Sequence, residues 1–230
     1  MRITLPNSRT FSKIFQKATG KSISEKINGI ATDSREVQEG DLYIAIKGEK
    51  VDGSDFLGQV FENGASYAMV SKKQNYIKGE QIEVGDTVKT IGKIATEWRL
   101  QFSIPVIGIT GTNGKTSTKE LLKHMLSSKF DVHATEGNYN TSIGLPLTLL
   151  QLTKFHGASI LEMGANRIGD IDILAKIAKP NIGVITNIAP AHLEGFGSIE
   201  AVAKTKAAIF ENLSNGIAFI NYADERVKKI

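Results

Sequence analysis

Val106-Ile107-Gly108-Ile109-Thr110, running directly into Gly111-Thr112-Asn113-Gly114-Lys115-Thr116 and then Lys119-Glu120-Leu121-Leu122, is the stretch that decides the fold. The first five residues read as a buried strand and the last four as helix, with a glycine-bracketed turn between them. Glycines let backbone amides turn inward around phosphate oxygens, and the start of the helix adds the positive end of its dipole. Lys115 is placed to reach outer phosphates and the Thr116 hydroxyl to ligate Mg²⁺. The full Walker spacing has a glycine at 109, where this chain has Ile109, so the match is to the shorter Gly-x-x-Gly-Lys-Thr core. A glycine turn that merely caps a helix is the structural alternative. Strand before, helix after and Lys-Thr in place favour a nucleotide loop built from Gly111, Thr112, Asn113, Gly114, Lys115 and Thr116.

Downstream of this loop the alternation is regular. Strands are predicted at Val132–Thr135, Ala158–Glu162, Ile182–Thr186 and Ile217–Asn221, separated by helical or loop stretches. Strands alternating with helices imply βαβ units and a mainly parallel sheet covered on both faces. Upstream, Val88, Ile91, Ala95, Trp98 and Phe102 recur at helical spacing, which predicts a helix from about Thr87 to Phe102 with Asp86 as its cap. Pro105 then blocks helix and holds Ile104 extended. A boundary is therefore expected near residues 103–105. Before it, Leu42–Ile46 and Tyr67–Val70 read as strands around an amphipathic helix at Phe56, Leu57, Val60 and Phe61. The fold class is α/β: a mixed α/β domain over 1–103, then a P-loop domain with a mainly parallel sheet over 104–230.

Composition is that of an ordinary folded protein: 230 residues, 41% apolar, 23% charged. That argues against disorder, collagen and coiled coil. The absence of cysteine excludes disulfides, thiolate metal sites and cysteine nucleophiles. The net charge of +4 suits anionic ligands but is too weak and scattered to argue for nucleic acid. No apolar run reaches the roughly 18 residues of a membrane span. The opening Met1–Pro6 lacks the apolar stretch of a signal peptide, so cytoplasm is the expected compartment and no membrane partner is expected.

In doubly wound sheets ligands bind at the carboxyl ends of strands, so polar residues just after each strand are site candidates. Glu162 ends one strand and could hold a second Mg²⁺; a carboxylate capping a turn is the plain alternative. Asn138 and Asn140 follow another strand and could bind a carboxylate or a transferring phosphate, although Gly137-Asn138 is also ordinary turn chemistry. His192 follows a third, and a lone histidine is more often structural. Lys206 falls on the apolar seam formed by Val202, Ile209 and Leu213. An ammonium aimed inward needs a partner or a changed charge state, unless it snorkels to solvent.

These motifs together resemble the Mur ligases of peptidoglycan synthesis. The resemblance is carried by GTNGKT, by Gly137-Asn138-x-Asn140 with Ile143-Gly144-x-Pro146-Leu147-Thr148-Leu149-Leu150, and by Glu162-Met163-Gly164-Ala165-Asn166. Thr186-Asn187-Ile188 with Ala191-His192-Leu193-Glu194-Gly195-Phe196-Gly197-Ser198 adds to it, as do Thr32-Asp33-Ser34-Arg35, Ala45-Ile46-Lys47-Gly48-Glu49 and Asp52-Gly53. Within the family the Glu-Met-Gly-Ala-Asn and Ala-His-Leu-Glu-Gly-Phe-Gly runs look most like the branch that joins D-alanyl-D-alanine to UDP-N-acetylmuramoyl tripeptide. Thr141 departs from the pattern, standing where many relatives have a further asparagine.

The resemblance implies an ATP- and Mg²⁺-dependent carbon–nitrogen ligase acting as a monomer through an acyl phosphate. Lys115 and Thr116 match its ATP phosphate and Mg²⁺ positions. Glu162 and His192 match groups around the second metal, and Lys206 matches a lysine that several members carbamylate into a metal ligand. Ser34, Arg35, Lys47, Gly48 and Asp52 fall where the family holds the uridine nucleotide, and Asn138 and Asn140 would orient the transferring group. Lys115, Glu162, His192 and Lys206 are thus the expected catalytic set, with Thr116, Glu162, His192 and Lys206 at metal. The family's third, C-terminal domain has no counterpart before Ile230, so an incomplete ligase is expected. The alternatives are a non-catalytic nucleotide-sugar-binding remnant and the related ligase that adds the third peptide residue.

Overall fold

The computed structural model describes every residue except Glu25, His192, Ser214 and Asn215, together with the side chain of Leu193. The chain divides into two compact units, Met1–Trp98 and Arg99–Ile230.

The first unit contains β1 (Arg2–Thr4), α1 (Ser8–Thr19), β2 (Gly29–Ala31), β3 (Leu42–Ile44), α2 (Leu57–Glu62), β4 (Tyr67–Val70), β5 (Gln81–Glu83) and most of α3 (Thr87–Arg99). Its sheet runs in the order β1-β2-β3-β4-β5. β1 is antiparallel to β2, and every other pair is parallel. Ala31, Tyr43, Ala45, Ala68 and Val70 pack with Leu57 and Val60 of α2 on one face. The alternating residues Ile30, Leu42, Ile44 and Met69 are equally buried, so the central strands are covered on both faces and read as unbroken apolar runs. Asn7 caps α1 through Thr10 N–H. Asp86 caps α3 through Lys89 N–H, as its sequence implies. The helix stops at Arg99 rather than Phe102, because Phe102 N–H turns back to the Arg99 carbonyl while the Arg99 guanidinium holds the Phe102 carbonyl. β1, β2 and β5 are not predicted; three residues are too few to display an alternation.

The second unit contains β6 (Val106–Thr110), α4 (Lys115–Leu126), β7 (Val132–Ala134), α5 (Gly144–Leu149), β8 (Ala158–Glu162), α6 (Asp170–Ala178), β9 (Ile182–Ile185), α7 (Leu193–Phe196), α8 (Ile199–Glu211) and β10 (Ile217–Ile220). Its sheet is wholly parallel, in the order β10-β9-β6-β8-β7. Ile107, Ile109, Ala134 and Ile160 pack under Leu122 and Leu126 of α4 on one face. On the other, Gly108 and Gly183 admit α8 closely: a Cβ on Gly108 would sit 3.0 Å from Ile209, and one on Gly183 would sit 3.1 Å from Phe210. The chain builds β7 and β8 on one side of β6, then β9 and β10 on the other. The strand order reverses at β6, which puts the open crevice of the sheet at that strand's carboxyl end. Among the described residues no helix is long and apolar enough to cross a membrane.

Candidate active site

The turn after β6 is the predicted nucleotide loop, and its glycines do what only glycine can. Gly111 has φ +149° and Gly114 φ +78°. A Cβ on Gly111 would lie 1.9 Å from Thr186 Oγ1. Gly114 is the N-cap of α4 and no side chain caps the helix there. The first amides of α4 are thus left for a ligand, at the positive end of the helix dipole.

The segment after β9 grips this loop. Thr112 N–H donates to the Asn187 carbonyl (3.0 Å) and Asn113 N–H to Asn187 Oδ1 (2.9 Å). Thr186 Oγ1 donates to the Asn113 carbonyl (2.6 Å), and Thr112 Oγ1 is bonded to both the Ala189 carbonyl and its N–H. Sequence reasoning does not find this clamp, because it joins residues more than seventy positions apart through side chain–backbone bonds. Behind it, Asp224 accepts from Ile188 N–H (2.8 Å) and Asn221 donates to the Thr186 carbonyl (2.9 Å).

Lys115 folds back over the loop, its ammonium donating to the Gly111 and Thr112 carbonyls (3.0 and 3.2 Å). Beside it the Thr116 hydroxyl donates to Glu162 Oε2 (2.8 Å), and the Asn140 amide donates to Glu162 Oε1 (2.9 Å). Gly164 N–H returns to the Asn140 carbonyl, and a Cβ on Gly164 would meet Asn140 Oδ1 at 3.0 Å. Glu162 is buried. Among the described residues no cationic side chain pairs with its carboxylate, although a buried anion requires a positive partner. Lys115, Asn140 and Glu162 line one cleft of about 490 Å³, together with Ser142, Asn166 and Arg167.

Lys206 lies on α8 among buried Val202, Thr205 and Ile209, and is itself 4% exposed. It has no hydrogen-bond or ion-pair partner among the described residues. Burial, and then the neighbouring Lys115 ammonium, lower it from 10.5 to about 8. The inward lysine expected from the seam is therefore present, near enough to Lys115 to feel its charge. Asn138 is not brought to the carboxylate; it is exposed, and its carbonyl accepts Asn140 N–H. His192 lies outside the described residues. No group of three or more His, Cys, Asp or Glu side chains that could hold a metal occurs among the described residues. The oxygen donors that do converge, Thr116 and Glu162, match the needs of Mg²⁺, which keeps several waters and takes its other ligands from phosphates. The fit is thus to a phosphate-bound ion rather than to an all-protein cage.

In the first unit Ser34, Arg35 and Gly48 line a cleft of about 680 Å³ with Thr32, Asp33 and Tyr43. Asp33 caps the single-turn helix Ser34–Glu36 and holds the exposed Arg35 guanidinium through two bonds (2.9 and 2.6 Å). That guanidinium keeps the Asp33 carboxyl well below the usual carboxylate range. Lys47 and Asp52 form an antiparallel bridge at the edge of this region, and the Asp52 carboxylate accepts Ser54 N–H. The Tyr43 hydroxyl donates to the Gly53 carbonyl (3.0 Å), and burial pushes the phenol up to about 12. An anchored arginine beside an aromatic floor suits a phosphate-bearing ligand.

Residues 109–230 match the Mur ligase middle domain, and residues 26–99 match the catalytic domain of the Mur ligase family. The UDP-N-acetylmuramoyl-tripeptide–D-alanyl-D-alanine ligase of Synechocystis is 42% identical over 90% of this chain and 46% of its own length. The Escherichia coli protein of the same name is 40% identical over 85% of this chain and 43% of its own. The chain spans about half the length of the curated relatives it matches. Among solved structures, MurF from Acinetobacter baumannii aligns with TM-score 0.90 at 34% identity, over 95% of this chain and 50% of that one. MurF ligase from Thermotoga maritima in complex with ADP aligns with TM-score 0.81 at 40% identity, over 87% and 47%. With both units matched in order by the family's models, and with solved members following its backbone over nearly its whole length, the chain belongs to the Mur ligase family.

Proposed function

We propose that this chain carries the two ligand-binding parts of an ATP-dependent ligase that joins D-alanyl-D-alanine to UDP-N-acetylmuramoyl tripeptide in the cytoplasm, acting as a monomer. Residues 1–103 hold the UDP-sugar, and residues 104–230 form part of the ATP-binding domain. The observation that carries this reading is the buried Glu162 carboxylate, held by Thr116 and Asn140 at the uncapped start of α4. It supplies negative charge beside a loop built for phosphate, an arrangement that makes sense once a divalent cation lies between them.

Bound ATP and Mg²⁺ supply the phosphoryl group and the charge neutralisation that let a carboxylate attack it. The chain's own residues do the rest. Lys115 would leave its two loop carbonyls to meet the outer phosphates, and the free amides at the uncapped start of α4 would cradle them. Asn140 orients the transferring group without adding charge. Lys206, buried on α8 beside the Lys115 charge, would take up carbon dioxide from its neutral amine with loss of a proton, and the carbamate so formed would add an oxygen donor for metal. Ser34, Arg35 and Gly48 anchor the uridine diphosphate, with Lys47 and Asp52 shaping the edge of that site.

The test joins this chain to the C-terminal half of the Synechocystis relative and measures phosphate release. Release that requires both UDP-muramoyl tripeptide and D-alanyl-D-alanine supports the proposal. Tight binding of ATP and UDP-tripeptide with no release in the joined protein favours a non-catalytic nucleotide-sugar-binding remnant. Release with UDP-muramoyl dipeptide and a single amino acid, and none with the tripeptide, favours the ligase that adds the third residue.

A further inference from the structure

α4 carries a second lysine one turn beyond Lys115, and it is the more deeply placed of the two. Lys119 is 2% exposed; its ammonium donates to the Thr135 carbonyl (2.7 Å) and pairs with Glu120 (2.8 Å), whose carboxylate is more than half exposed. Stability alone does not call for lysine here. Burying an ammonium costs free energy. What the lysine touches supplies a reason. Thr135 Oγ1 accepts the backbone N–H of Glu162 (3.0 Å), and Thr135 N–H donates to the Ile160 carbonyl (3.0 Å). The segment beyond Thr135 leads to Asn140, which holds one oxygen of the same Glu162 carboxylate. Thr116, three residues before Lys119 on α4, holds the other. One helix therefore grips Glu162 twice: at its carboxylate through Thr116, and at its backbone through Lys119 and Thr135.

We propose that Lys119 is a positioning residue that fixes the height of Glu162 against the start of α4, so that the carboxylate meets a divalent cation carried on the nucleotide phosphates. The inference rests on the nucleotide site proposed above. Removing Lys119 frees the end of β7 from α4 and lets the Glu162 backbone drift, while the Gly111–Lys115 loop, clamped from the β9 side, keeps its shape. The loss should therefore fall on metal-linked nucleotide binding and spare metal-free binding.

The experiment is calorimetric titration of ADP into the chain, with Mg²⁺ and with chelator, for the parent, Lys119→Met, Lys119→Arg and Thr135→Val. In Lys119→Met, affinity for ADP with Mg²⁺ should fall about tenfold or more, the scale seen when partners that orient a metal ligand are removed. Affinity without Mg²⁺ should stay at the parent value. Lys119→Arg, which keeps a donor at the Thr135 carbonyl, should recover most of the loss. Thr135→Val removes the hydroxyl while keeping the volume and should reproduce the metal-selective loss; it carries the test if Lys119→Met does not fold. Equal losses with and without Mg²⁺, or no loss in either variant, would overturn the positioning role. A parent chain that binds ADP in neither condition would instead overturn the nucleotide site itself.

Discussion

Replacing Gly111 by alanine probes the geometry on which the phosphate loop depends. The new methyl carbon would start 1.9 Å from Thr186 Oγ1, 3.1 Å from Thr186 Cβ and 3.2 Å from Asn187 N. The hydroxyl must retreat by about 1.5 Å to reach ordinary contact distance. It can do so only by abandoning its 2.6 Å bond to the Asn113 carbonyl, since the loop and the β9 segment are otherwise tied together. Losing that bond costs about 1 kcal/mol. Holding alanine at φ +149° adds about 1–3 kcal/mol. Gly111→Ala should thus destabilise the second unit by about 2–4 kcal/mol, and it should abolish detectable ADP binding. The double-mutant cycle sharpens the test. Thr186→Ala alone should cost about 1 kcal/mol. In the Gly111→Ala background it should cost nothing further, because the hydroxyl has already lost its partner, giving a coupling of about 1 kcal/mol. Urea unfolding followed by circular dichroism, with β6 amide exchange as a local probe, reads all four corners. Strict additivity, or a Gly111→Ala chain within about 0.5 kcal/mol of the parent, would refute the clash as the cause.

Other regions make separate predictions. His133 is buried between the Thr148 carbonyl and Ser159 Oγ (both 2.9 Å), so Nε2 carries the proton and Nδ1 accepts; burial lowers it from 6.5 to about 4. The unfolded chain takes up a proton below pH 6.5 and the folded one does not, so this stability is complete above pH 6.5 and is lost as pH falls toward 4, by roughly 3 kcal/mol. His133→Gln should flatten that limb; urea midpoints at pH 7 and 4.5 that shift equally in both proteins would contradict the assignment. Asp33→Ala removes the cap of the Ser34–Glu36 turn and releases Arg35, and should cost about 1 kcal/mol. It should also weaken UDP-sugar binding severalfold in a fluorescence competition assay, and unchanged binding would show that Arg35 needs no anchor.

The parts legible in the sequence are those written in consecutive residues. The run Val106–Thr110, two loop glycines and Lys-Thr announce strand, loop and helix, and the same logic places Glu162 at a strand end. The helix carrying Lys206 is legible from its apolar spacing, and so is that lysine's inward face. The parts not legible are those made by tertiary contact. Lys119 looks like one more solvated cation early in a polar helix until the fold brings Thr135 against it. Asn138 and Asn140 carry the same side chain two positions apart, and the backbone after β7 decides that Asn140 alone of the pair reaches Glu162. Asn187 reads as part of a motif, whereas its carbonyl and amide oxygens serve to hold a loop that lies three strands earlier in the chain. The short edge strands β1 and β5 escape for another reason, since their partners and not their own patterns make them strands.

On this reading one chain holds two independent phosphate-bearing ligands, one in each unit. Paired calorimetric titrations of ATP with Mg²⁺ and of UDP-N-acetylmuramoyl tripeptide, on the parent and on Lys115→Ala, test it most directly. Both ligands should bind the parent, and Lys115→Ala should lose ATP while keeping UDP-tripeptide affinity within about twofold, because among the described residues the Lys115 ammonium bonds only within the phosphate loop. Loss of both ligands together, or retention of ATP at parental affinity, would contradict it.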